Sequence, residues 1–475
     1  RTDMSSLLVQ MEEEREEVKQ LVNEGLKNVV NALAEECANQ LTLELGKEVQ
    51  RGVQRRTMRK RHGSRGKRVV LPGLGRLLLQ LLERPDTSAS TMKGFCGVSR
   101  MFFQQFYELI KYDLPPRTNR LRKDYVPLTK KVRVALFLAW LVNGQTLAAT
   151  TPAHQRVEST ICKSNWKVLS IVIRKFKSTY LGVLPSEDDI LAKITNRNPM
   201  YAPFGKCIGA IDGTSIPILT KRDDCPRFRS HKTGSSSMNL VVCCNFRFKV
   251  VQAVFGIEGA ACDSVVFEDF LKAKLNLDHQ SSPFFYLGDA IFRNSQYMVT
   301  PFRGYAYHLE DWKKGNRIPA NKYELFNLRH AQLRNIIERL FGVIKNKFRI
   351  LKKVLRVDVR RADYVDGYSN ILCGILILFG LMRDLGEITV EDFKKKNINK
   401  LRNLPADVEV EEPEFGNNID NNNNNNNNEN SGDLRMSIAN KLWSDYSQQR
   451  NHQTASEEIS QLDELIGTIF GMLDK

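Results

Sequence analysis

What this 475-residue chain lacks narrows its class before any motif is read. None of its nine cysteines falls in a C-x-x-C pair, which removes the usual zinc-ribbon and thiol-redox patterns. Apart from the neighbours Cys243 and Cys244 they are scattered singly, an odd set that fits a reducing cytosolic or nuclear compartment. No apolar stretch reaches the roughly 20 residues of a membrane-spanning helix. The longest, "ILCGILILFGLM" at residues 371–382, has twelve and is expected to be a buried helix closing a domain. No secretory pattern opens the chain, and "RTDMSSLLVQ" starts on Arg1, so a fragment or a missing true start is expected.

Acid is scarce relative to base: 54 Asp and Glu stand against 71 Lys and Arg, a formal charge of +17. Such an excess points to polyanionic partners, DNA or RNA ahead of an anionic membrane face. Acid is absent altogether from "RGVQRRTMRKRHGSRGKRVV", residues 51–70, where nine Lys and Arg include Arg59, Lys60 and Arg61. A run this dense does not fold alone. It is expected to be a flexible basic arm that touches DNA or carries a nuclear-import signal; a solvated linker is the alternative.

The remaining text divides by periodicity. Residues 1–50 form an amphipathic helical segment with Val22, Leu26, Val29 and Leu33 at i, i+4, i+7 and i+11, suited to self-association or to packing on its own domain. Residues 51–97 are the basic arm and linker. Residues 98–195 are helical: "SRMFFQQFYELIKYDL", then "LTKKVRVALFLAWLVNG" stopped by Gly144, then a third helix or pair. In the last, a short helix, a turn and "ESTICKSNWKVLSIVI" have helix-turn-helix shape, with Ser159, Thr160, Lys163, Ser164 and Lys167 expected to face phosphates or bases. A plain helical bundle with a polar face remains the alternative. Residues 196–390 group strands with helices on both sides, an α/β core with a mixed sheet. Residues 391–432 turn acidic and then Asn-rich, with no apolar content for a core, and are expected to be a disordered linker. Residues 433–475 are a short helical tail.

Two apolar strands each break at a carboxylate: "CIGAIDGTSIPI" at Asp212 and "YLGDAIF" at Asp289. A buried carboxylate must be paired, hydrogen-bonded or placed on a metal. If the strands are neighbours, the two anions converge and repel unless a cation lies between them, and oxygen ligands of this kind suit Mg²⁺ or Mn²⁺. Asp-Gly after a strand is also a common turn signal, so Asp212 by itself could be structural. A third carboxylate lies in "LRNIIERLFGVIKNKFRIL". Ile337, Phe341, Ile344 and Phe348 form one buried stripe there, and Arg334, Glu338 and Lys345 share a neighbouring face. That face is either a surface ion pair or a helix aiming Glu338 at the aspartates and its two cations at a phosphate backbone.

"CIGAIDGTSIPI", "YLGDAIFRNSQYMVTPFRGYAYHL" and "ELFNLRHAQLRNIIERLFGVIKNKFRIL" resemble the transposases of the PIF/Harbinger superfamily, in the DDE class. "GIEGAACDSVVFEDFL" is similar to that family's Gly-rich turn and Asp-Ser helix start, and "QRVESTICKSNWKVL" to its helix-turn-helix; the likeness runs from about Val98 to Leu385. It implies a ribonuclease H-like mixed sheet flanked by helices, with the triad on Asp212, Asp289 and Glu338, spaced 289−212 = 77 and 338−289 = 49. It further implies Mg²⁺ (or Mn²⁺) as cofactor, DNA cutting and joining, and Arg334, His330 and Lys345 on nearby phosphates. A Myb-like accessory DNA-binding protein is implied as partner. A nuclear location and a homo-oligomer without membrane attachment are the companion expectations. The chain departs from the family pattern at Ser215 and at Cys262, where His is usual, and in lacking a His-Asn in residues 371–382. Asp263 is expected to cap a helix, with Ser264 behind it. The competing class is a domesticated DNA- or chromatin-binding factor that keeps the triad unused.

Overall fold

The computed structural model describes residues 89–115, 128–146, 158–183, 189–194, 199–230, 233–261, 284–307, 319–394 and 433–449. Arg59, Lys60 and Arg61, the helix expected within residues 5–50, Cys262, Asp263, Ser264 and the segment 395–432 lie outside the described residues.

Helices α1 (Ala89–Cys96), α2 (Arg100–Ile110), α3 (Lys130–Leu141) and α4 (Glu158–Tyr180) come first. Ser99 and Thr129 start two of them: each hydroxyl accepts an amide of the first turn, Phe102 N and Val132 N, which would otherwise lack a partner. α4 is one helix of 23 residues, and its buried line Ile161, Val168, Leu169 and Val172 packs against α3 and a later helix. The short helix and turn expected ahead of it, at 151–157, fall outside the described residues. Lys163 and Lys167 are exposed one turn apart on α4. Ser164, expected to be exposed with them, is buried and accepts a hydrogen bond from Arg133 Nε at 3.3 Å. Arg133 belongs to α3, so Ser164 faces that helix and the polar face is narrower than its spacing suggested.

The sheet has five strands in the order β3-β2-β1-β4-β5. β1 (Cys207–Pro217), β2 (Ser237–Cys244) and β3 (Val250–Glu258) are antiparallel neighbours, while β4 (Phe285–Leu287) and β5 (Met298–Val299) run parallel to β1. Gly209 is required in β1: a Cβ there would lie 2.0 Å from the Cys244 carbonyl oxygen, so the close approach of β1 to β2 admits no side chain.

Helix α5 (Lys322–Lys347) starts at Asn321, whose side chain accepts from both Tyr323 N and Glu324 N, and it packs against β1, β2 and β4. Helix α6 (Tyr364–Asp384) carries the apolar run 371–382, every residue of which is buried. The expectation that no stretch is long enough to span is corrected: with its flanking turns the helix has 21 residues and is long and apolar enough to cross a bilayer, and here it packs against α4 and β3. A last helix, α7 (Leu434–Gln449), lies along α5 and buries Ile438, Ala439 and Leu442. The helices of 98–183, the sheet and α5–α7 share one hydrophobic cluster.

Candidate active site

Strand pairing brings the first two carboxylates together. β1 and β4 are parallel and their last matched pair is Ala210 with Leu287. Asp212 and Asp289 each follow that pair by two residues, so alternation of side chains sends both to the same face. The expectation that the strand ends at Asp212 is corrected: β1 runs on to Pro217, with Asp212 opposite Val242 on β2. What ends near Asp212 is the pairing to β4 and the continuous burial. β2 keeps the backbone satisfied while the opposite edge opens into the site. Gly288 leaves room for this edge, since a Cβ there would meet Met298 Sδ at 2.6 Å. Each aspartate also turns one oxygen to the next amide: Asp212 Oδ1 accepts from Gly213 N at 2.8 Å, and Asp289 Oδ1 from Ala290 N at 2.7 Å.

Glu338 arrives on α5. Between it and Asp212 stands Arg334, donating through Nη1 to Asp212 Oδ2 at 3.0 Å and through Nη2 to Glu338 Oε1 at 2.5 Å. The arginine side chain is 9% exposed, against 21% for Asp212 and 44% for Glu338. Burial raises the pKa of Asp212 above the usual carboxylate range; Arg334 opposes the rise, and the charges of Asp289 and Glu338 add to it. Burial alone would lower the pKa of Arg334, but Asp212, Tyr307, Glu338 and Asp289 outweigh it and the guanidinium stays charged. The Tyr307 ring lies 5.8 Å from that guanidinium, and burial together with Asp289 and Glu338 raises its phenol pKa. Lys345, two turns beyond Glu338, donates to Thr214 Oγ1 on β1 at 2.6 Å. Burial lowers its pKa and Asp212 opposes the drop.

Two expected phosphate contacts are corrected. His330 is fully buried, with Nε2 bonded to the Val299 carbonyl at 3.0 Å and Nδ1 without a hydrogen-bond partner. Burial pushes its pKa down to about 3, so the ring is neutral and out of reach of a phosphate. Arg334 faces inward to two carboxylates instead of outward to DNA. Sequence spacing exposed the Arg334–Glu338 pair but not its third member, Asp212, which lies 122 positions away. Tyr307 was missed; nothing in "YAYHL" marks a tyrosine that faces the carboxylates.

As donors, three carboxylates fit a hard divalent cation in charge and in oxygen chemistry. Among the described residues, no three Asp, Glu, His or Cys side chains are gathered as closely as a shared ion requires, and Arg334 stands between two of the three.

Residues 211–376 match the family model of the DDE superfamily endonucleases, a span that includes Asp212, Asp289 and Glu338. The match supports a DDE-type, transposase-like nuclease domain over that segment. No curated protein and no solved structure matches the chain.

Proposed function

We propose that the protein is a metal-dependent DNA endonuclease and strand-transferase of the PIF/Harbinger type, with a ribonuclease H-like core and Asp212, Asp289 and Glu338 as its catalytic carboxylates. The observation that carries this reading is the parallel β1/β4 register, which sets Asp212 and Asp289 on one face beside the helix that bears Glu338. The strand order, three antiparallel strands followed by two parallel to the first, supports the fold assignment.

The three carboxylates would hold Mg²⁺ (or Mn²⁺), and the bound metal supplies activation of a water or 3′-hydroxyl and neutralisation of the leaving oxygen. Asp212 and Asp289 each have one oxygen fixed by the next amide, which orients the other oxygen of each carboxylate. Glu338 is the most exposed of the site side chains with Asp212 and Arg334, and α5 sets its distance from the sheet. Lys345, held on Thr214 Oγ1, lies close enough to Asp212 for their charges to interact and would face a scissile phosphate there. Lys163 and Lys167 on α4, with the basic arm, would hold DNA through its phosphates. A nuclear site of action, a Myb-like accessory protein and self-association belong to this same proposal.

A second reading, a DNA-binding factor with an unused triad, is favoured by one observation: Arg334 already pairs with both Asp212 and Glu338. Cleavage of supercoiled and terminal-repeat DNA with Mg²⁺ or Mn²⁺, wild type against Asp289→Asn, separates the two. Metal-dependent nicking lost in the variant supports the enzyme; no nicking by either supports the binding factor.

A further inference from the structure

We infer that Arg334 is a counter-ion built into the chain for the carboxylate cluster, and that a divalent ion can enter between Asp212 and Glu338 only when the guanidinium releases at least one of them; this rests on the proposed triad. One guanidinium holds both residues, through Nη1 to Asp212 Oδ2 at 3.0 Å and Nη2 to Glu338 Oε1 at 2.5 Å. A planar fork fixes the spacing of the oxygens it bridges, so these two are set by the arginine and not by a metal's coordination shell. The other oxygen of Asp212 is turned to Gly213 N, which leaves Oδ2 as the one facing α5. Arginine and ion therefore compete for the same atom.

The charges point the same way. Asp212, Asp289 and Glu338 carry −3 when ionised, and Arg334 and Lys345 return at most +2, so the cluster lacks at least one positive charge. A divalent ion added with Arg334 in place would meet, at short range, a guanidinium whose side chain is only 9% exposed. Two donors hold the arginine to the carboxylates, Nη1 and Nη2. Its Nε is buried with no hydrogen-bond partner, so no third donor pins the group once a carboxylate is taken from it. The Tyr307 ring, 5.8 Å away, offers a flat face over which a guanidinium stays favourably placed while it shifts.

The test is a calorimetric titration of Mn²⁺ alone, without DNA, into the full chain as wild type, Arg334→Gln and Asp212→Asn, with circular dichroism to follow the fold. Removing the competing cation predicts that Arg334→Gln binds Mn²⁺ about tenfold more tightly than wild type, in line with the loss of one charge–charge repulsion at short range. Asp212→Asn should bind more weakly than wild type. If Arg334→Gln fails to fold in chelator, Mn²⁺ should restore its cooperative melting transition, because the ion takes over the missing charge and binds only the folded form. An affinity for Arg334→Gln equal to or below wild type, with Asp212→Asn still weakened, overturns the counter-ion role alone. So does a variant unfolded in chelator that Mn²⁺ does not rescue. Binding indifferent to Asp212→Asn removes the triad reading, and this inference with it.

Discussion

His330 lies one helical turn before Arg334, closed in by Tyr307 and Phe326, with the charges of Arg334, Asp289 and Arg435 around it. Its folded pKa of about 3 is below the ordinary value near 6.5, so between those pH values the unfolded chain binds a proton that the folded chain does not. Stability from this group is present above pH 6.5 and falls as pH drops toward 3, by up to about 1.4 kcal/mol per pH unit. Gln at this position keeps a donor for the Val299 carbonyl but cannot titrate. Urea unfolding of His330→Gln between pH 7 and pH 4 should therefore show a flatter loss of stability than wild type, and an unchanged slope would contradict the buried neutral ring. At this scale the sequence showed the chemistry and hid the orientation. Asp212 and Asp289 stood out because a carboxylate interrupting apolar strand text needs a reason. His330 and Arg334 on one helix could equally have faced solvent; the burial that turns them inward depends on strands 31 and 122 positions away.

Among the elements, α5 determines the site, since Arg334, Glu338 and Lys345 follow one another at four and seven residues along one side of it. Its helical period was legible, as were α2, α3 and α6, because each has a clear period or a bounded apolar run. β5 was not, for two residues carry no period. The continuation of β1 past Asp212 was also hidden: Gly213 and Thr214 look like a turn until β2 is there to pair with them. The tail was readable as a helix, but not as a support for α5. In α7, Leu442 is 4% exposed, Lys322 Nζ on α5 donates to Asn440 Oδ1 at 2.8 Å, and the Arg435 guanidinium lies 4.3 Å from the Phe302 ring. Leu442→Ala should lower unfolding free energy by about 2–3 kcal/mol in urea titrations, the cost of a buried leucine cavity. A change below about 0.5 kcal/mol, usual for surface positions, would mean that α7 does not rest on α5 in solution.

For the whole molecule the governing quantity is the +17 charge, more than half of it matched by the nine cations of residues 51–70. Each phosphate neutralised by Lys or Arg adds about −0.9 to the slope of log affinity against log salt. Removing residues 51–70 should flatten that slope by several units in a DNA-binding titration, while the nuclease domain at 211–376 keeps its circular dichroism. An unchanged slope would make the arm a passive linker. The central claim, that the carboxylates on β1, β4 and α5 form one catalytic cluster, is most directly tested with Asp289→Asn. This change removes one negative ligand and one anion facing phosphates, and alters little in shape. With Mg²⁺ or Mn²⁺, nicking of supercoiled DNA should fall at least about a hundredfold, as expected when an electrostatic contributor to the transition state is lost, while DNA affinity in chelator holds or rises. Equal nicking by wild type and Asp289→Asn, or none by either with both metals, would contradict it.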